Sequence, residues 1–183
     1  MIKLGAKDLR TTIPSQHDLK KIKKNPIYII LDNVLDTYNV GGIFRLADAV
    51  AAEKVILCGQ TETPPSSRIK KASINTTEWV TWQYSPSAKT AISNIKNQIS
   101  KIRIVAIEQS RESIPYNKAE YKFPIALVVG HETNGVSNEV LQSRMIDQIV
   151  EIPMWGVNKS LNVIVSLGIV LYEVMKGTQN PDV

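Results

Sequence analysis

The chain has 183 residues, 43% of them hydrophobic and 21% charged, with a formal net charge of +5, the balance of one ordinary globular domain with room for a sizeable core. A disulfide scaffold is excluded because Cys58 is the only cysteine, and a membrane-spanning helix because no apolar run reaches the roughly 20 residues a bilayer needs. Neither His17 nor His131 stands in a cluster with metal-ligand spacing, so no metal is expected, and the lone thiol fits a reducing cytoplasm.

In chain order, residues 1–24 come first, with Lys3, Lys7, Arg10, Lys20, Lys21, Lys23 and Lys24 set against Asp8 and Asp18. This arm alone carries +5, the value of the whole chain, so the remainder is neutral on balance. A basic arm on a neutral body points to a polyanionic partner, nucleic acid before membrane, because no apolar face accompanies the lysines. No charged-then-apolar signal opens the chain, so export is not expected. Residues 1–25 read as the arm and 26–183 as one domain, with no repeat, linker or low-complexity segment between them.

Ile27 to Leu31 is a continuous apolar run of strand length, the pattern of a strand covered on both faces. Asn39 stands as an N-cap before a helix whose buried stripe is Ile43, Leu46, Ala47, Val50 and Ala51, with Arg45 off that stripe. Lys54 to Cys58 is the next buried strand. Thr63 to Thr77 then reads as a long loop with a basic knot at Arg68, Lys70 and Lys71. A short strand over Trp79 to Tyr84, a helix over Ser87 to Ile99, a strand over Ile102 to Ile107 and a polar loop to Lys122 follow. Ile125 to Val129 forms the clearest strand, opening into Gly130-His-Glu-Thr-Asn-Gly135 and a short helix to about Arg144. Gln148 to Ile152 is the last strand. Strand and helix alternate throughout, which gives an α/β class with a mainly parallel sheet and helices on both faces.

The final helix, from Leu161 to Met175, is apolar nearly all round. Leu161, Ile164, Val165, Gly168, Leu171, Tyr172 and Met175 read as its core stripe, and Val163, Leu167, Val170 and Val174 as a second row available to a partner. A chain this short has little protein to cover two faces, so a homodimer through this helix is expected.

Ligands of open α/β sheets bind outside the carboxyl ends of the strands. The polar, glycine-bearing segments Asn39 to Arg45, Gly130 to Gly135 and Pro153 to Asn162 sit at such ends. Gly130 and Gly135 have the glycine spacing of a P-loop, but Val136-Ser137 replaces its lysine, and no Gly-x-Gly-x-x-Gly follows a strand. Asp32 and Asp36 read as turn and cap residues, and His131 as structural more readily than catalytic. Taken together, Asn39-x5-Arg45, Gly130-x-Glu132-x-x-Gly135, and Ile152-Pro-Met154 with Ser160-Leu161-Asn162 resemble the three motifs of the SpoU/TrmH-type members of the SPOUT superfamily, the knotted RNA ribose 2′-O-methyltransferases. The resemblance runs from about Ile27 to Met175, with departures from the usual family residues at His131, Thr133 and Ile164.

That resemblance implies a C-terminal trefoil knot, S-adenosylmethionine as methyl donor, and methylation of a ribose 2′-hydroxyl of tRNA or rRNA. It implies cofactor contacts at Ile107, Gly130, Ile152, Met154, Ser160 and Leu161, and a catalytic set of Arg45, Asn39, Glu132, Ser160 and Asn162. An arginine of ordinary basicity is no base at neutral pH, so Arg45 is expected to hold phosphate and stabilise a developing alkoxide. Lys20, Lys21, Lys23, Lys24, Arg68, Lys70 and Lys71 are expected to meet RNA phosphates. The chain shows no separate N-terminal RNA-binding domain of the kind many rRNA-modifying relatives carry, which tilts the expectation toward tRNA. Two other readings stay open: a catalytically idle knotted dimer that binds RNA as a chaperone or assembly factor, and an unrelated α/β enzyme of small molecules.

Overall fold

Successive side chains of the central strands enter two different apolar layers, which is what continuous apolar runs such as IYIIL and IALVV require. Ile27, Ile29 and Leu31 face one layer with Ile125, Leu127 and Val129, while Ile30, Ala126 and Val128 face the other. The computed structural model describes residues 3–177, so residues 1–2 of the expected arm and 178–183 of the expected domain lie outside the described residues. The arm carries two short helices, α1 (Ala6–Leu9) and α2 (Gln16–Lys20). Then follow β1 (Asn25–Asp32), α3 (Thr37–Ala49), β2 (Ala52–Cys58), α4 (Ser67–Ser73), β3 (Trp82–Ser85), α5 (Ala88–Gln98) and β4 (Arg103–Ile107). The remainder is β5 (Ile114–Pro115), β6 (Ile125–Gly130), α6 (Asn138–Leu141), β7 (Gln148–Glu151) and α7 (Val163–Met175).

The seven strands form one sheet in the order β3-β2-β1-β6-β4-β7-β5, and every pairing is parallel. Helices α3, α4 and α7 contribute Phe44, Ile69 and Leu167 to one layer; α5 and α6 contribute Ile92 and Val140 to the other. The parallel α/β class with helices on both faces is therefore as the alternation of elements indicated. Register aligns Asp32 with Cys58 and with Gly130, so the carboxyl ends of the central strands form one rim.

Four local expectations are corrected. Helix α3 starts at Thr37, two residues before Asn39, because Asp36 is its N-cap and accepts from the Tyr38 N–H at 2.8 Å. Asn39 therefore lies inside the first turn, 4% exposed, with its amide free to bond across elements. The expected loop over Thr63 to Thr77 contains α4, capped by Ser66, whose Oγ accepts from the Ile69 N–H. Packing against α3 orders it: Ile69 is fully buried, and a β-carbon on Gly41 would come within 2.9 Å of the Ile69 carbonyl and the Ser73 amide.

The third correction re-sorts the rows of α7: of the expected core stripe, Leu171 is buried and Ile164 and Met175 pack against the core, but the rest is not as expected. Leu167, Val170 and Val174, the row assigned to a partner, are fully buried in this chain's own core together with Leu171. Leu161, Val165 and Tyr172, assigned to the core, are 39%, 48% and 57% exposed. Periodicity revealed two apolar rows but carried no information on which one meets the sheet. The helix is oriented by α3: a β-carbon on Gly42 would collide with the Ile164 side chain, and one on Gly168 would lie 3.6 Å from the Leu46 side chain. The expected short helix to Arg144 also ends early, at Leu141.

Candidate functional site

At the carboxyl ends of β6, β4 and β7 lies a cavity of about 340 Å³. Three segments wall it: Ile107 to Gln109 leaving β4, Gly130 to Gly135 leaving β6, and Ile152 to Leu161 between β7 and α7. Ile107, Gly130, Ile152, Met154, Ser160 and Leu161, separated by up to 54 positions in sequence, all line it.

The β6 wall is a tight turn in which His131 and Gly135 exchange both backbone hydrogen bonds, at 3.0 and 2.8 Å. Gly135 has φ +69°, a left-handed conformation that glycine alone adopts without penalty. The Nδ1 of His131 accepts from the Thr133 N–H at 2.9 Å, so the imidazole fastens this turn and carries its proton on Nε2. Asp32, 2% exposed, accepts from the Ser137 N–H at 2.8 Å and fixes where the turn rejoins the body.

Glu132 points out of the turn toward α3. Its carboxylate accepts from the N–H groups of Leu35 (3.2 Å) and Asp36 (3.0 Å) and from Asn39 Nδ2 (2.8 Å). Asn39 Oδ1 in turn accepts from Asn162 Nδ2 at 3.0 Å, and Asn162 Oδ1 caps α7 by accepting from the Ile164 N–H at 2.9 Å. One chain of hydrogen bonds thus ties together three segments that are far apart in sequence. Desolvation pushes the Glu132 pKa up, but the bond from Asn39 and those from backbone N–H groups outweigh it, and the net shift is below the ordinary glutamate value. Both of its oxygens are engaged, which makes it an organiser of loops.

Of the expected catalytic set, Glu132 and Ser160 line the cavity, and Asn39 and Asn162 stand behind it through their bonds. Arg45 is not in the lining; it is exposed, on the flank of α3 that also carries Tyr38, seven residues earlier and so on nearly the same side of the helix. The basic residues lie elsewhere. Lys20, Lys21, Lys23, Arg68, Lys70 and Lys71 are exposed and Lys24 half-buried; Lys21 pairs with Asp18 at 3.5 Å and Lys70 with Glu78 at 3.1 Å. The arm lies against the body: the Leu9 carbonyl accepts from Asn75 Nδ2 at 2.7 Å, and Leu9, Leu19 and Ile22 surround a small cavity with Trp79.

Sequence reasoning missed Glu108, Gln109, Glu151 and Lys159, all in the cavity wall. The strand-end rule that singled out Gly130 would have found Glu108 and Gln109 had it been applied past Ile107. Among the described residues, no group of three His, Cys, Asp or Glu side chains could hold a metal ion, and no helix is long and apolar enough to cross a membrane.

The sequence profile of the SpoU rRNA Methylase family matches residues 26–172. Among curated proteins, the tRNA (guanosine(18)-2′-O)-methyltransferase of Aquifex aeolicus is 33% identical over 164 residues, covering 86% of this chain and 72% of that protein. The 23S rRNA (guanosine-2′-O-)-methyltransferase RlmB of Haemophilus influenzae is 29% identical, covering 88% of this chain and 65% of that protein. Among solved structures, an AdoMet-bound rRNA methyltransferase from Sinorhizobium meliloti is 28% identical with a TM-score of 0.75, covering 86% of this chain and 59% of that one.

Proposed function

The chain belongs to the SpoU rRNA methylase family, and from that premise we propose that it transfers a methyl group from S-adenosylmethionine to a ribose 2′-hydroxyl of tRNA or rRNA in the cytoplasm. The observation that carries the reading is the hydrogen-bonded chain Glu132–Asn39–Asn162 at the cavity, which joins in space the three segments that carry the motifs.

The cavity suits the cofactor. Its volume is at the small end of ligand sites, its apolar lining includes Ile107, Ile152, Met154 and Leu161, and Glu108, Glu132 and Glu151 lend it a negative field that favours a sulfonium and an ammonium. Ile107, Gly130, Ile152, Met154, Ser160 and Leu161 are the residues assigned to hold it. When bound, it supplies a methyl group already activated by the positive sulfur. What remains for the protein is alignment of the ribose oxygen and stabilisation of the charge that grows on it. Arg45 has that second role, gripping a substrate phosphate and the developing alkoxide from the exposed flank of α3 with its planar fork of donors. Glu132 and Asn39 keep the β6 turn and α3 in register, Asn162 fixes the start of α7, and Ser160, bonded through its N–H to Asn158, shapes the loop before it.

RNA is bound by the arm and by α4 through Lys20, Lys21, Lys23, Lys24, Arg68, Lys70 and Lys71. The working form is a homodimer, supported by the exposed apolar row Leu161, Val165 and Tyr172 on α7 and by the exposed Leu35 and Tyr38 at the start of α3. The fold reading includes a C-terminal trefoil knot, supported by a chain that leaves β6 for β7, outside β4, and returns through α7 across β6 and β4 to α3.

The deciding experiment is single-turnover transfer of labelled methyl to unmodified tRNA and rRNA, followed by mass mapping of 2′-O-methyl nucleotides. Transfer to a defined ribose supports the reading. RNA binding with no affinity for S-adenosylmethionine would replace it with the idle RNA-binding dimer.

A further inference from the structure

Both irregular walls of the cavity are held from one place, the pair of residues that leaves β4. Glu108 accepts from the Val136 N–H at 2.8 Å and the Gln109 N–H at 2.9 Å, and a β-carbon on Gly135 would collide with its carboxylate. Gln109 reaches the opposite wall, where its Nε2 donates to the Lys159 carbonyl at 2.6 Å. Among the described residues this is the one hydrogen bond that ties residues 153–161 to another element; the Ser160 N–H to Asn158 Oδ1 bond stays inside the loop.

We propose that Gln109 is a positioning residue of the donor site: by gripping the Lys159 carbonyl it holds the 153–161 loop, with its cavity-lining Met154, Ser160 and Leu161, against the nucleoside-sulfonium ligand and sets how long that ligand stays. The inference rests on the S-adenosylmethionine reading above. A loop tied in advance costs little to order on binding, whereas an untied one must be ordered each time, at the expense of affinity. Such a change is felt mainly in the off-rate. The grip is on a backbone carbonyl, so the Lys159 ammonium plays no part in it.

The test uses the full chain and two variants, Gln109→Ala and Gln109→Glu, with S-adenosylmethionine and S-adenosylhomocysteine as probes in calorimetry and stopped-flow binding. Gln109→Ala should weaken binding of both probes by about 5- to 10-fold, the scale of one net hydrogen bond, chiefly through faster release. Gln109→Glu should do at least as much, because a carboxylate has no proton to donate to a carbonyl. Without ligand both variants should melt like the wild type, and saturating cofactor should restore methyl transfer. Wild-type release rates in both Gln109 variants would overturn the proposal, as would slower association at an unchanged release rate. Failure of the wild type itself to bind either probe would overturn the donor-site reading, and this role with it.

Discussion

Around the cavity many polar side chains are already bonded within the chain: Glu132 accepts three bonds, Asn39 bridges to Asn162, His131 fastens its own turn, and Asp32 and Glu108 take backbone N–H groups. On the flank of α3 and along the arm and α4 the opposite holds. Arg45 is exposed, the lysines are mostly exposed, and the ion pairs there are surface pairs of the kind worth little. The difference matches two kinds of ligand. A small cofactor gains affinity from walls ordered in advance, whereas a large polyanion brings its own shape and is gathered by charges that stay hydrated until it arrives. Removing the bonds that tie the β6 turn to α3, as at Glu132, should therefore cost stability, and substitutions on the open side should cost function alone.

The largest contrast is on α7. Val170→Glu places a carboxylate among fully buried apolar side chains and should unfold the protein, a loss of several kcal/mol. Val165→Glu, on the half-exposed row, should keep the fold and split the dimer, and analytical ultracentrifugation with circular dichroism separates the two outcomes. A wild-type monomer at micromolar concentration would remove the dimer from the proposal. Next comes Arg45→Ala, expected to lower single-turnover methyl transfer by roughly 10²-fold or more while leaving folding and S-adenosylmethionine binding unchanged. Arg45→Lys should fail too, since it keeps the charge and loses the fork. Full activity in Arg45→Ala would take Arg45 out of the mechanism.

On the built side, Glu132→Ala strips the acceptor from Asn39 and two backbone N–H groups and should cost about 1–2 kcal/mol in urea unfolding, with weaker cofactor binding. The same carboxyl gives a pH signature. Its folded pKa lies below its unfolded value, so its contribution is fully present above the unfolded pKa and drains away as pH falls through the folded one. Below about pH 5 the wild type should thus lose stability faster than Glu132→Gln; parallel curves would show that the bonds to Glu132 do not depend on its charge. The smallest effect per residue belongs to the arm. Replacing Lys20, Lys21, Lys23 and Lys24 by Ala should weaken RNA binding and flatten the logarithmic salt dependence by at most about 3, with cofactor affinity unmoved. An unchanged slope would leave those lysines as a solvated surface.

What the sequence determined by itself was whatever depends on near neighbours along the chain. The apolar runs of β1, β2 and β6 required strands buried on both faces, the alternation with helices required a parallel sheet, and the glycine-bearing end of β6 marked one wall of the cavity. Tertiary structure decided whatever depends on two elements meeting. Helix α4 forms inside a stretch rich in turn residues because Ile69 is buried against α3 at Gly41; Asn39 is a bridge because Glu132 and Asn162 arrive on either side of it. The faces of α7 were settled by its crossing on Gly42 and Leu46, since two apolar rows at the same spacing are equivalent until a partner breaks the tie. The strand-end rule reaches Gln109 and the segment that holds Lys159, but no local pattern pairs them, because a bond between positions 50 residues apart exists only once the sheet has set β4 beside β7.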